Sequence, residues 1–173
     1  HQDLLGQTAL TFSGEVNPDV DVVFLCLGHG NSTSFLKENQ FSVSTKIIDL
    51  SNDFRLQGDS MFNGQRFIYG LPELNKSAIK AAEAIANPGC FATAIQLALL
   101  PFAKAGLLVE DVHINAVTGS TGAGVGLSDT AHFSWRNNNV SWYKPFTHQH
   151  LGEIGESLKS YGHTVGKLRF LPN

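Results

Sequence analysis

Residues 20–51 read as strand, helix and strand in direct succession, and no other feature limits the fold of this chain so tightly. "VDVVFLCLGHG" is a continuous apolar run ending in Gly-His-Gly, the pattern of a parallel strand buried on both faces with a loop at its carboxyl end. "NSTSFLKEN" follows as a short helix with Asn31 or Ser32 as N-cap, and "TKIIDLS" is a second buried strand. That succession is a βαβ unit, so the sheet is parallel. In such sheets ligands bind outside the carboxyl ends of the strands, which places Gly28, Gly30 and the segment Ser51–Arg55 on the ligand side. Cys26 falls inside the first apolar run and is expected in the core.

Further along, "IYGLPELNKSAIKAA" holds a turn around Pro72 and a short helix, and "CFATAIQLALLPFAKAG" is a largely buried helix with a kink expected at Pro101 and an end near Gly106. "VHINAVTG" reads as a strand, "GSTGAGVG" as a glycine-rich loop, and the stretch from Leu127 to Pro145 is polar and aromatic without a period. "HLGEIGESLKSYG" is amphipathic, with Leu151, Ile154 and Leu158 on one face and Gly162 as C-cap, and "LRFLP" is a final strand. The change of pattern near residue 86 divides the chain into residues 1–86, the parallel-sheet part, and residues 87–173, a second part. The fold class expected is α/β, part of a Rossmann-like domain followed by part of an α+β domain. The start at His1 without methionine and the end on a strand-like run suggest a piece of a longer protein.

Composition removes several function classes. The 173 residues are 42% hydrophobic and 16% charged with a net charge of −3, so no basic excess points to nucleic acid. Apolar stretches are too short to span a bilayer, and no secretory or transit segment is evident. Two cysteines, Cys26 and Cys90, make neither a disulfide framework nor a Cys-x-x-Cys pair, which suits a reducing, cytoplasmic compartment.

Cys90 stands in the first turn of its helix, just after a Pro-Gly turn signal. The positive end of the backbone dipole and the unpaired N–H groups there favour thiolate over thiol. Its alternative is a small buried hydrophobe. His148 and His150 in "THQHLGEI" lie two apart, so in an extended segment both face one side, and the following helix start disfavours imidazolium at His150. They suit acid/base work beside a nucleophile, a metal pair or plain surface positions, but no third metal ligand is evident, so none is assigned. Gly119, Gly122 and Gly124 allow close backbone approach to a ligand, without the lysine of a phosphate loop. Arg55 suits a carboxylate or phosphate, and from position alone an exposed surface ion pair is slightly favoured. A cysteine–histidine hydrolase or acyltransferase, and a non-catalytic binding fragment, remain alternatives.

Together, "DLSNDFRL", "YGLPELNK", "NPGCFATAIQLALLPF", "VTGSTGAG" and "THQHLGEI", in this order, resemble the N-acetyl-gamma-glutamyl-phosphate reductase family of arginine biosynthesis. The sister aspartate-semialdehyde dehydrogenases typically carry Asn where this chain has Gly89. The resemblance implies Cys90 as nucleophile, His150 and His148 as active-site histidines with His150 the acid/base, and Arg55, Asn87 and Gly89 at the substrate. It also implies NADP(H) as cofactor, near Gly28, Gly30, Gly119, Gly122 and Gly124. The reaction implied is NADPH-dependent reduction of N-acetyl-glutamyl 5-phosphate to the semialdehyde with release of phosphate, through a cysteine thioester, in a homo-oligomer. Relatives often carry a basic residue at Val125 and proline at Ala92 and Gly152. The family's opening glycine-rich fingerprint and its C-terminal part are not in these residues, so this span alone is not expected to turn over.

Overall fold

A computed structural model describes residues 5–124 and 126–173; Val125, singled out in the glycine-rich loop, lies outside them. The βαβ unit forms as its pattern demands: β1 (Val22–Leu25), α1 (Ser32–Glu38) and β2 (Lys46–Asp49), with β1 and β2 parallel and Val23 opposite Ile47. A hairpin of β3 (Met61–Phe62) and β4 (Gln65–Tyr69) then precedes α2 (Pro72–Ala81) and β5 (Ala84–Ala86). Pro72 opens α2, where its missing N–H and fixed φ suit the first helical turn. The sheet runs β1-β2-β5-β4-β3, parallel except for β3. Its core gathers Leu25, Leu36, Ile47, Phe54 and Phe67, with Phe54 and Phe67 stacked 4.0 Å apart.

Cys26 is not in that core. It is exposed, just past the end of β1, and Phe24 is 63% exposed. Among the described residues β1 is an edge strand with one face uncovered, so the apolar run reads as doubly buried but is covered on one side only.

The second part begins with α3 (Cys90–Lys104), which runs through Pro101 to its end. β6 (Val112–Ala116) and β7 (Leu168–Pro172) form a two-stranded parallel sheet, with the short α4 (Phe133–Arg136) and α5 (His150–Lys159) between them. α5 lays Ile154 and Leu158 against α3, where Ile95, Leu100 and Phe170 complete a second core. Leu71 belongs to this second core although it precedes α2, so the two parts pack directly on each other. Gly166 lets the chain pass the Glu110 carbonyl, where a Cβ would collide with backbone.

Candidate active site

Cys90 opens α3 because the residue before it can cap the helix without a side chain. Gly89 is extended at φ −67°, ψ 155°, and its carbonyl accepts from the Thr93 N–H at 2.8 Å and the Thr93 hydroxyl at 2.9 Å. The Asn87 N–H donates to the Asp49 carbonyl at 2.8 Å, fastening this turn to the parallel sheet. The Cys90 side chain is exposed, and Asn87 beside it is exposed as well.

α5 delivers the histidines. His150 is its first residue, and the His150 N–H donates to Nδ1 of His148 at 3.2 Å. That bond fixes the neutral tautomer of His148, whose proton must sit on Nε2. Both rings are buried, 4.5 Å apart between centroids, and His148 packs edge-on against Phe91, Tyr143 and Phe170. The His150 ring lies where a Cβ on Gly89 would be, so imidazole and cysteine turn are in direct contact. Its Nδ1 is buried without a hydrogen-bond partner among the described residues.

Electrostatics keep both imidazoles neutral. Burial, then the charge of Arg55, with smaller effects of His29 and Lys144, pushes His150 down to about 4. His148 also falls to about 4, through burial first and then His150 and Lys144. Tyr143, partly buried against the second core, titrates above its usual range, through desolvation first.

Arg55 is buried at 7% exposure, which overturns the exposed ion pair expected from its position. Each of its three nitrogens donates within the chain: Nε to the Asn87 carbonyl at 2.8 Å, one terminal nitrogen to the Leu50 carbonyl at 3.0 Å, the other to Glu153 Oε1 at 3.3 Å. Glu153 escaped the sequence reading, as did Tyr69, whose hydroxyl donates to Glu153 Oε2 at 2.7 Å. The signal for Glu153 was its spacing, three residues after His150 and hence on the same helix face. Tyr69 heads the quoted "YGLPELNK" motif, but its link to Glu153 arises only where the fold brings β4 to α5.

Gly28 and Gly30 have left-handed backbone, φ 81° and 84°, in the exposed loop after β1. Nothing lies within 4 Å of a Cβ position on Gly30, so the loop leaves open space on that side. The helix end next to it does not suit phosphate. Asp53 already accepts the Gly30 N–H at 2.7 Å and the Thr33 N–H at 3.1 Å, and a second anion there would meet its charge. Gly119, Gly122 and Gly124 sit elsewhere, around a short helical turn at residues 120–123. That turn walls an open cleft of 710 Å³ with Ser128, Asp129, His132 and Trp135, and neither Cys90 nor the two histidines line it.

Family models match two stretches of the chain. Residues 2–82 match the family model described as the NAD-binding domain of semialdehyde dehydrogenase, and residues 90–173 match its dimerisation domain. A relative from Flavobacterium johnsoniae, named N-acetyl-gamma-glutamyl-phosphate reductase, is 67% identical over 100% of this chain and 54% of its own length. A relative of the same name from Christiangramia forsetii is 59% identical over 100% of this chain and 53% of its own. The chain thus spans about half the length of the curated relatives it matches. An aspartate semialdehyde dehydrogenase II from Vibrio cholerae shares the fold, with a TM-score of 0.60 at 15% identity over 90% of this chain and 52% of that one. The chain belongs to the semialdehyde dehydrogenase family, with the NAD-binding part before Cys90 and the dimerisation part from Cys90 onward.

Proposed function

We propose that the full-length protein containing this chain reduces N-acetyl-glutamyl 5-phosphate to N-acetyl-glutamate 5-semialdehyde, with NADPH as reductant and release of phosphate. One observation carries the reading: the neutral imidazole of His150 is seated on Gly89, next to the exposed thiol that opens α3.

His150 takes the proton of the Cys90 thiol, and the thiolate sulfur attacks the acyl carbon. Collapse of the tetrahedral adduct breaks the bond to the phosphate oxygen and leaves a thioester on Cys90. A bound reduced nicotinamide would supply hydride to the thioester carbon, giving the hemithioacetal on Cys90. His150 then returns its proton to the hemithioacetal oxygen or its leaving thiolate as the aldehyde departs. His148, a fixed Nε2–H donor, orients the substrate. Asn87 and Gly89 line the substrate side of the turn, whereas Arg55 serves from behind by holding Glu153. Gly28 and Gly30 face the cofactor, and Gly119, Gly122 and Gly124 contribute to the cofactor side in the whole protein. The enzyme works as a cytoplasmic homo-oligomer.

Cys90→Ser in the full-length protein tests this reading, assayed as phosphate-dependent oxidation of the semialdehyde. Turnover should vanish, because a hydroxyl is far less nucleophilic than a thiolate at neutral pH. Substantial residual turnover removes Cys90 from the mechanism.

A further inference from the structure

Glu153 is 4% exposed, and the chemistry above gives it no proton or substrate to handle. Four groups nevertheless converge on its carboxylate. Oε2 accepts the Tyr69 hydroxyl at 2.7 Å and the Gly89 N–H at 3.2 Å, while Oε1 meets Arg55 at 3.3 Å and lies 3.8 Å from Nε2 of His150. The Tyr69 oxygen in turn accepts from Nε2 of Gln96 at 2.7 Å, so its single proton is directed at Glu153. A buried carboxylate is tolerable only when paired and fully hydrogen-bonded, and this one is served from β4, the loop after β2 and the turn before α3.

The placement matters because of what the carboxylate holds. Gly89 immediately precedes Cys90, and Glu153 stands one turn after His150 on α5. One side chain therefore ties the turn of the thiol to the helix of the imidazole. We infer that Tyr69 and Glu153 are positioning residues: the Tyr69 hydroxyl locks the Glu153 carboxylate, which grips the Gly89 N–H and so sets His150 against Cys90. This rests on the reading of Cys90 and His150 as the reacting pair.

The field at His150 supplies a readout that a purely structural role would not move. Arg55, His29 and Lys144 oppose its protonation, the Glu153 carboxylate stands 3.8 Å from its Nε2, the His148 ring meets it edge-on, and Cys90 lies beyond Gly89. Removing the Tyr69 hydroxyl strips a hydrogen bond from the anion and makes its charge more available, so His150 becomes easier to protonate. Replacing the anion by an amide leaves Arg55 unopposed, so His150 becomes harder to protonate. The two variants should move the acid limb of the pH profile in opposite directions.

The test uses the full-length protein with Cys26→Ser, which leaves Cys90 as the only thiol within this chain, and adds Tyr69→Phe or Glu153→Gln. Two readouts are taken: kcat and KM for semialdehyde oxidation across pH, and the rate of Cys90 alkylation by iodoacetamide, followed by peptide mass. Tyr69→Phe should lower kcat about tenfold with KM within about twofold of its parent, and shift the acid limb of kcat/KM upward. Glu153→Gln should shift that limb downward, and both should change the alkylation profile. A folded Tyr69→Phe with parental kcat, pH profile and alkylation overturns the inference. So does a shift of both limbs in one direction, or a raised KM at unchanged kcat. Should Glu153→Gln lack native near-UV dichroism, Tyr69→Phe decides alone. Retained turnover in Cys90→Ser would defeat the parent reading instead, and the alkylation profiles separate the two failures.

Discussion

Gly89 has no side chain, and the imidazole of His150 fills the space that a Cβ would need. Gly89→Ala must push the ring away from the cysteine turn, and a displacement of that size should lower turnover about 10²-fold while the protein stays folded. Steady-state kinetics beside a thermal melt checks it. The histidines should separate cleanly. His150→Asn should lower kcat/KM by roughly 10²–10⁴ and flatten the acid limb of its pH profile, whereas His148→Asn should lower it less than about tenfold, because Nδ1 of His148 is tied to a backbone N–H. The reverse pattern exchanges their roles. Both histidines also make stability depend on pH. Their folded values, about 4, lie below the ordinary 6.5, so the unfolded chain takes up protons first as pH falls. The stability is complete above about pH 6.5 and is lost progressively down to about pH 4. The melting temperature should drop by about 5 °C between pH 7.5 and pH 5 in wild type, and by less in the His148→Asn/His150→Asn double variant.

Helix α1 shows how an element can be predicted while its support is not. Asn31 does occupy the N-cap, but it turns its amide to the Leu27 carbonyl, and the cap comes from Asp53, about twenty residues later. Burial alone would raise Asp53, but the Thr33 and Gly30 backbone N–H groups and the Ser51 and Thr33 hydroxyls outweigh it and hold the carboxyl below its usual range. Asp53→Ala should therefore cost about 1–2 kcal/mol at pH 7, measured by urea unfolding, and the difference should shrink as pH falls through the carboxylate range. A long-range cap leaves no trace in local pattern. The β3–β4 hairpin is the opposite case: Asn63-Gly64, both at positive φ, joins "MF" to "QRFIY", a turn signal present in the sequence and not read as one. The parallel sheet, α3 and α5 were legible because each rests on a local pattern, continuous apolar runs for the strands and apolar spacing for the helices. The exposure of Cys26 was not, because an apolar run cannot tell how many of its faces are covered.

At the scale of the molecule, two cores meet across a buried ion pair, Arg55 with Glu153, which joins the parallel-sheet part to the part that starts at Cys90. Arg55→Leu leaves an unpaired buried carboxylate and should destabilise the protein by about 3 kcal/mol, seen as an earlier denaturant midpoint. The sequence exposed the thiol and the histidines because they belong to compact local motifs. Glu153, Tyr69 and Arg55 also stand in the quoted motifs, but their connection stayed hidden because it arises only where β4, the loop after β2 and α5 converge. The central claim is that Cys90 carries the acyl group. Its most direct test is to mix the full-length protein with acyl phosphate in the absence of reduced nicotinamide, quench in acid and map the acyl adduct by peptide mass. The adduct should sit on the peptide containing Cys90, appear with release of phosphate and be absent from Cys90→Ser. Phosphate release with no adduct at Cys90, or an adduct on another residue such as Cys26, would contradict it.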